Sequence, residues 1–326
     1  MTWGATPLRV AVVGAGGVGS YLGSRLAAAG ADVGYLARGS NLEALRERGL
    51  TIVKPDGSSS STPVRATDDE RAIGPVDLIL FTVKSYDTDA AARRVAPMLT
   101  GDTAVLSLQN GIDNEAKIAA VVGDSRVLGG AAYILASIQA PGVIRSNDAR
   151  IVVGELMPGP PSERVLRIVE LARAGGVGAD ASDDVTRLKW EKYVLLVAFA
   201  SVSAGTQLPL GDIRRSPAAV AMFRAIAHEA LAVGQALGVA LDDDLADRQV
   251  ERVLGLADDE GTSLRHDLLR GRRMEIEALQ GTLARLGRET GVPTPFTDAA
   301  YAVLQPWAIR NEGNFNEGNR NEGTPS

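Results

Sequence analysis

The apolar positions in the first half of the chain predict short buried strands that alternate with helices. Continuous apolar runs rich in β-branched residues are typical of parallel strands covered on both faces. The predicted strands are residues 8–13, 33–37, 50–54, 76–83 and 103–108. The predicted helices between them are residues 18–29, 42–48 and 87–98. This alternation predicts an α/β fold with a doubly wound parallel sheet.

The next stretch, up to residue 180, is less regular. The serine-rich residues 57–62 predict a turn, and residues 130–155 predict a pair of strands around Pro141-Gly142 that cap the sheet. A helix at 162–174 and a strand at 176–180 close this part of the chain.

From Asp183 onward the pattern has helical periods only, which predicts a separate all-α domain. The predicted helices are residues 184–203, 217–237, 243–256, 272–290 and 296–308. We therefore divide the chain into domains 1–180 and 181–310. The polar, glycine-rich end at 311–326 repeats Asn-Glu-Gly, and it predicts a disordered tail with no assigned function.

A glycine-rich turn joins the first predicted strand to the first predicted helix. Gly14, Gly16 and Gly19 form G-x-G-x-x-G in a strand–turn–helix setting, which is the fingerprint of dinucleotide-binding Rossmann domains. In that motif the glycines allow a tight turn, close approach to the pyrophosphate and helix–strand packing. The helix N-terminus favours an anion. We assign Gly17 to the same site and interpret the first domain as a Rossmann domain.

Arg38 follows the second predicted strand, where NAD sites carry an acid about 20 residues after the glycines. A guanidinium there pairs with a 2′-phosphate, and Ser40 and Asn41 could donate further hydrogen bonds. Asp32 precedes the strand, at its far end. Arg38 therefore favours NADP over NAD; the alternative is a solvated surface arginine, since the chain has 29 arginines.

Composition narrows the function classes. The 326 residues, 45% hydrophobic and 23% charged, are typical of a globular protein with two domains. A net charge of −6 argues against nucleic-acid and membrane-surface partners. Cysteine is absent, which excludes disulfides, thiolate metal sites and a cysteine nucleophile. No signal peptide or membrane-spanning run is recognisable, so we expect a cytoplasmic protein without a metal site.

Few residues are candidates for acid–base chemistry. The chain has two histidines and five lysines, and lysine, unlike arginine, can lose a proton near neutral pH when it is buried. Lys189 and Lys192 share one face of a predicted helix that begins near Asp184. Lys84 and Asn110 stand at predicted strand ends, where ligands of α/β sheets bind, although each is also a common strand-end or turn residue.

Residues 262–277 supply the remaining candidates. Ser263 is interpreted as a helix N-cap or an anion ligand, and Glu275 as a carboxylate in the first turn of the next helix. His266 fits packing or capping better than catalysis.

Together these motifs resemble the ketopantoate reductase (2-dehydropantoate 2-reductase) family over nearly the whole chain except the tail. The resemblance rests on GAGGVG at 14–19, Arg38, TVK at 82–84, QNG at 109–111, WEK at 190–192 and SLRHDLLRGRRMEIEALQG at 263–281.

The resemblance implies a function and a set of roles. It implies an NADPH-binding Rossmann domain, a helical C-terminal domain with a cleft between them, and reduction of a 2-oxo acid to a 2-hydroxy acid. Lys192 would be the general acid, and Glu275 would bind the substrate hydroxyl or carbonyl oxygen. Ser263 would hold the substrate carboxylate, and Lys84 and Asn110 would line the junction of cofactor and substrate.

The sequence departs from the family pattern on the substrate side. The family's best-known members carry asparagines one and two turns after the catalytic lysine and another before a helix-breaking glycine. This chain has Leu196, Ala200 and Leu210 there. The family's Ser-Ser-Met is Thr262-Ser263-Leu264, and Met274 replaces the threonine before the glutamate. We therefore expect Leu196 and Ala200 to give the substrate an apolar surface, and we predict either a 2-dehydropantoate 2-reductase or a paralogue with an altered substrate.

Two other readings stay open. One is another two-domain NAD(P) dehydrogenase, of the 3-hydroxyacid or opine type. The other is a catalytically weak NADPH-binding sensor or redox regulator, suggested by the missing asparagines. The sequence also leaves a homodimer open.

Overall fold

The structure is a computed structural model, and it describes residues 7–322, with side chains described as far as residue 314. The chain divides into two compact units. The first contains the chain up to Gln109 and Asp113–Thr186; the second contains Asn110–Ile112 and the chain from Arg187. The main boundary lies a few residues after the predicted one. The sequence pattern did not predict that Asn110–Ile112 belong to the second unit.

The first unit contains an eight-stranded sheet with the spatial order β12-β11-β8-β7-β6-β1-β2-β5. Six neighbouring strands, from β8 to β5, run parallel, while β11 and β12 run in the opposite direction. The strands are β1 (Arg9–Val13), β2 (Asp32–Leu36), β5 (Arg65–Thr67), β6 (Leu78–Phe81), β7 (Ala104–Ser107), β8 (Val127–Tyr133), β11 (Arg150–Glu155) and β12 (Gly178–Ser182).

Helices of the first unit connect these strands, and apolar cores lie on both faces of the sheet. In β1, Val10 and Val12 belong to one core, and Ala11 and Val13 to the other, because successive strand residues point to opposite faces. The helices are α1 (Gly17–Ala28), α2 (Gly39–Arg48), α3 (Glu70–Ile73), α4 (Thr88–Arg94), α5 (Asn114–Val122) and α6 (Glu163–Ala174). The α/β prediction with a large parallel sheet is confirmed.

A second, four-stranded sheet has the order β4-β3-β10-β9 and corrects two predictions. Its strands are β3 (Leu50–Val53), β4 (Ser59–Thr62), β9 (Ala136–Ala140) and β10 (Val143–Ser146). The predicted serine-rich turn is wrong in part, since β4 pairs with β3; its exposed, wholly polar side chains hide the usual alternation. The Pro141-Gly142 hairpin exists, but it joins this sheet rather than capping the large one.

The second unit is helical around one apolar core. Its helices are α7 (Val185–Thr206, which starts in the first unit), α8 (Leu210–Arg214), α9 (Pro217–Ala236), α10 (Leu245–Leu254), α11 (Ser263–Leu269), α12 (Thr282–Thr290) and α13 (Pro295–Glu322). The short helices α8 and α11 were not predicted.

The predicted helix 272–290 begins later than expected. Gly271 has a φ of +62° and ends the turn after α11, and residues 272–275 are not helical. A π-helical turn, Glu277–Gly281, then leads into α12. Burial of Met274 and Ile276 in the core outweighs the helical pattern here.

The last helix extends into the segment that the sequence predicted to be a disordered tail. The backbone of α13 continues to Glu322 through most of the segment predicted to be disordered, because that segment directly follows a formed helix. Residues 323–326 lie outside the described residues, and the disordered tail stays a prediction.

Candidate active site

The glycine turn of the first unit is built by its own backbone. Gly14, with a φ of +105°, ends β1, and Gly16 precedes α1 without a side-chain cap. The hydroxyl of Thr82 donates to the Gly14 carbonyl at 2.9 Å, which fixes the turn against the end of β6. The turn before α1 is therefore held in place. The N–H groups in the first turn of α1 are the donors that a phosphate site requires.

The space around each glycine shows which one faces a ligand. A Cβ on Gly19 would lie 2.3 Å from the Gly14 carbonyl oxygen, and one on Gly17 would lie 2.5 Å from the Ala136 carbonyl oxygen. A Cβ on Gly14 would meet the Val83 nitrogen at 2.5 Å, whereas a Cβ on Gly16 would meet nothing within 4 Å. Three of these glycines thus serve close packing, and Gly16 faces open space where a diphosphate could approach. The residues present fit a dinucleotide.

Arg38 lies two residues after the end of β2, as predicted for a residue that reads the ribose. It precedes α2, its side chain is 68% exposed, and its guanidinium is 3.8 Å from the carboxylate of Asp87. Asp32 begins β2 at the opposite end and pairs with Arg65 at 3.2 Å.

Asn41 has a different place from the one expected. Its amide donates to the Ala15 carbonyl at 3.0 Å and accepts from the Gly142 N–H at 2.9 Å. Asn41 therefore connects the glycine turn to the β9–β10 hairpin, which makes it a support of the turn rather than the free phosphate donor that the sequence suggested.

Lys84 follows β6 and precedes a short 3₁₀ turn, Ser85–Asp87, at the carboxyl end of the sheet. The neighbouring Gln109, at the end of β7, donates from Nε2 to the Val83 carbonyl at 2.9 Å and to the Thr88 hydroxyl at 2.8 Å. Sequence reasoning missed Gln109 and Thr82. The sequence feature that could have identified them is their place in two motifs, QNG for Gln109 and TVK for Thr82.

The second unit brings Asn110 and Lys192 together, although 82 positions separate them in sequence. The Lys192 Nζ donates to the Asn110 Oδ1 at 3.1 Å. Asn110 belongs to this unit with Ile112, whose side chain packs against the helical core. The segment Asn110–Ile112 thus places the Asn110 amide beside α7, the helix that contains Lys192.

Two further charged residues act on Lys192. Burial and, to a lesser extent, the positive charge of Lys189 lower the pKa of Lys192 to about 8, against the opposing effect of the negative charge of Glu275. Lys189 and Glu275 are buried, with 8% and 7% exposure. The structure therefore gathers Asn110, Lys192 and Glu275 and adds Lys189 to them. An ammonium with a pKa near 8 can both stabilise a developing negative charge and donate its proton.

The residues around Ser263 correct one assignment. Thr262, not Ser263, caps α11, since its side chain accepts from the Arg265 N–H. The Thr262 hydroxyl also lies 2.8 Å from the Ser203 hydroxyl of α7. Ser263 is the first residue of α11 and is exposed, so it follows the N-cap rather than forming it. Glu275 was expected in the first turn of a helix, but it lies before the π turn.

Comparisons with known proteins show the family to which the chain belongs. The family models described as "Ketopantoate reductase PanE/ApbA" and "Ketopantoate reductase PanE/ApbA C terminal" match residues 10–158 and 184–308. A 2-dehydropantoate 2-reductase of Mesorhizobium japonicum is 32% identical over 93% of this chain and 98% of its own length. The chain belongs to the ketopantoate reductase family.

Solved structures of ketopantoate reductases share the fold. The family member from Ralstonia eutropha JMP134 has a TM-score of 0.85 at 32% identity, covering 93% of this chain and 99% of its own. A D-mandelate dehydrogenase, solved with NADH and anilino(oxo)acetate, has a TM-score of 0.84 over 93% of this chain and 99% of its own. At 19% identity that second likeness shows the fold alone.

The positions where this reductase-family chain departs from the family's asparagines have different environments. Leu196, one turn after Lys192, is only part-buried at the edge of the helical core. Ala200 and Leu210 are both 0% exposed within that core. Leu196 could therefore meet a substrate, whereas the two buried residues pack the unit. The contribution of Ala200 to an apolar substrate surface stays a prediction that its burial does not favour.

Residues 7–322 contain neither a candidate metal site nor a candidate membrane-spanning helix. No group of three or more His, Asp or Glu side chains in that part of the chain could hold a metal ion. None of the helices described there is long and apolar enough to span a bilayer.

Proposed function

We propose that the chain catalyses the NADPH-dependent reduction of a 2-oxo acid to a 2-hydroxy acid, with ketopantoate or a close relative as substrate. The observation that carries the proposal is the Lys192 ammonium, held by Asn110 at 3.1 Å and with its pKa lowered to about 8. Membership of the ketopantoate reductase family and its oxidoreductase relatives supports the reaction class.

The first unit would bind the cofactor. Gly14, Gly17 and Gly19 shape the turn, Gly16 leaves room for the diphosphate, and α1 offers its N–H groups. Arg38 would pair with the 2′-phosphate, which selects NADPH over NADH; that preference requires its guanidinium to leave the weak, exposed contact with Asp87. Lys84 would contact the nicotinamide end. A bound nicotinamide cofactor supplies the hydride for the carbonyl carbon.

The second unit would manage the proton. Negative charge develops on the carbonyl oxygen during reduction, and the Lys192 ammonium stabilises it and then donates a proton to form the hydroxyl. Asn110 orients the ammonium through its side-chain oxygen. Glu275 favours the protonated lysine, and Lys189 opposes it, so together they keep Lys192 able to give and regain a proton near neutral pH. Ser263 would bind the substrate carboxylate through its exposed hydroxyl.

The direct test measures NADPH and NADH consumption against a panel of 2-oxo acids that includes ketopantoate. We expect turnover with NADPH and at least one panel member, and a kcat lowered by roughly 10²–10⁴-fold in Lys192→Ala. Tight NADPH binding without oxidation against any panel member would contradict the proposal and favour the sensor reading. Turnover of 3-oxo acids or imino acids alone would favour the other dehydrogenase classes.

A second candidate substrate class is favoured by Leu196. A part-buried leucine one turn from Lys192 cannot hydrogen-bond a substrate hydroxyl, and leaving that group unpaired costs roughly 1–3 kcal/mol. We expect 2-oxo acids with apolar side chains to compete well with ketopantoate, and Leu196→Asn to shift kcat/KM toward ketopantoate. Ala200→Asn is the control at a fully buried position. We expect it to lower the stability of the protein rather than to change the substrate preference. A wild type strongly selective for ketopantoate would contradict this candidate.

The homodimer left open by the sequence and the cytoplasmic location stay predictions. Gel filtration combined with light scattering would give the assembly state.

A further inference from the structure

The π-helical turn that follows Glu275 is attached to the lysine helix by a buried hydroxyl. The Tyr193 hydroxyl donates to the Leu279 carbonyl at 2.6 Å, and Tyr193 is 2% exposed. Tyr193 is the residue next to Lys192 in α7. The contact therefore joins the element that carries the proposed acid to the element that follows its carboxylate.

The connection continues through the backbone to Glu275 itself. The Leu279 N–H donates to the Glu275 carbonyl at 3.2 Å, so one residue accepts from Tyr193 and donates to Glu275. The wider π spacing is seen in the bond from the Gly281 N–H to the Ile276 carbonyl at 2.9 Å. Isolated π turns inside helices are frequent at functional sites. Here the turn occurs where the chain passes from the non-helical residues 272–275 to α12.

The tyrosine ring is fixed as well as its hydroxyl. Trp190 packs its ring edge-on against Tyr193, with 5.5 Å between ring centroids and 80° between planes. A second buried bond parallels the first: the Gln280 Nε2 donates to the Ser201 hydroxyl of α7 at 2.9 Å. Two successive residues of the π turn thus bind α7, and a shift of the turn along the helix would break both bonds.

We propose that Tyr193 is a positioning residue, whose hydroxyl acts through Leu279 to set the separation of the Glu275 carboxylate from the Lys192 amine. The role goes beyond the reductase activity proposed above and rests on it only for turnover. The Glu275 carboxylate raises the pKa of Lys192, whereas burial and Lys189 lower it. If the distance between the Glu275 carboxylate and the Lys192 amine increases, the raising effect becomes weaker. Loss of the hydroxyl should therefore lower the pKa of Lys192.

Tyr193→Phe tests the role, because it removes one oxygen and keeps the ring. Tyr35→Phe is the matched control: Tyr35 is 1% exposed in β2, and its hydroxyl has no hydrogen-bond partner among the described residues. The first measurement needs no turnover. With ¹³C at the ε carbon of lysine the full chain gives five lysine signals, and Lys192→Arg assigns the one of interest.

We expect the Lys192 signal to titrate near pH 8 in the wild type and in Tyr35→Phe. In Tyr193→Phe it should titrate roughly 0.5–1 unit lower. The pH dependence of kcat should shift by the same amount, and kcat at neutral pH should fall by about 10-fold or more, with KM less affected. Ser201→Ala, which removes the acceptor of the second bond, should give a smaller shift in the same direction.

An unchanged Lys192 titration in folded Tyr193→Phe would overturn the proposal, because a merely structural tyrosine changes the amount of folded protein and not the pKa. If Tyr193→Phe does not fold, an unchanged titration in Ser201→Ala would overturn it instead. A shifted titration without 2-oxo acid reduction in any variant would support the positioning role and refute the proposed function. Normal reduction with an unshifted titration would do the reverse.

Discussion

The glycine turn of the first unit and the lysine cluster of the second are built in opposite ways. Residues 14–19 form the turn from adjacent backbone atoms, and packing against Val83 and Thr82 fixes it. The cluster takes side chains from residues 110, 189, 192 and 275. These side chains meet only because α7, the segment Asn110–Ile112 and a π turn bring them together. A backbone site tolerates side-chain changes that leave its shape intact, whereas a side-chain site depends on each functional group.

The largest expected effect is in the cluster. Lys192→Ala should lower kcat by roughly 10²–10⁴-fold, because the proton donor is lost, while NADPH affinity stays nearly intact. Steady-state kinetics and NADPH titration of the same preparation measure both quantities. Lys189→Ala is the matched control, one helical turn away, and it should lose less activity. The opposite order of the two variants would exchange their roles.

In the glycine turn, the decisive change is the addition of a methyl group at Gly16 or at Gly19. Gly16→Ala should weaken NADPH by about 100-fold, since the methyl separates the diphosphate from several charge-assisted donors worth roughly 1.5–3 kcal/mol each. Its thermal stability without cofactor should equal that of the wild type, because the methyl meets no protein atom. Gly19→Ala should instead lower the melting temperature, since its Cβ would lie 2.3 Å from the Gly14 oxygen. Equal melting temperatures for the two variants would contradict this division.

A smaller effect is expected at Arg38. Arg38→Asp removes the partner of the 2′-phosphate and adds a like charge, so NADPH should weaken relative to NADH by roughly 1.5–3 kcal/mol. Fluorescence titration with both cofactors measures the preference. Arg65→Asp, in the same sheet but paired with Asp32 at the far end of β2, controls for the change in net charge. An unchanged preference would leave Arg38 a solvated surface residue.

The smallest expected effect concerns pH. Only protonated Lys192 can donate, and its pKa is lowered to about 8, so kcat for reduction should fall as pH rises through about 8. Lys189→Ala removes a like charge and should move this limb to higher pH. Glu275→Gln removes the opposing charge and should move it to lower pH, each by about one unit or less. Shifts with the reverse signs would show that another group titrates.

The expectations from sequence were most accurate where the pattern was local. The strand–turn–helix around Gly14 needs only consecutive residues, and apolar runs fix which strands are buried. Errors occurred where packing overrode the pattern. The polar strand β4 is held by pairing with β3, residues 272–275 are not helical, and Thr262 rather than Ser263 is the N-cap of α11.

The sequence by itself determined the two fold classes and the glycine turn, because each depends on residue type and short-range spacing. Its resemblance to the ketopantoate reductase family pointed to Lys192 as the candidate acid. Tertiary structure alone decided that Asn110 holds Lys192, that Lys189 and Glu275 act on its pKa in opposite directions, and that Tyr193 reaches Leu279. Electrostatic effects and hydrogen bonds depend on distance in space, and the distance between residues 110 and 192 appears only when the chain is folded.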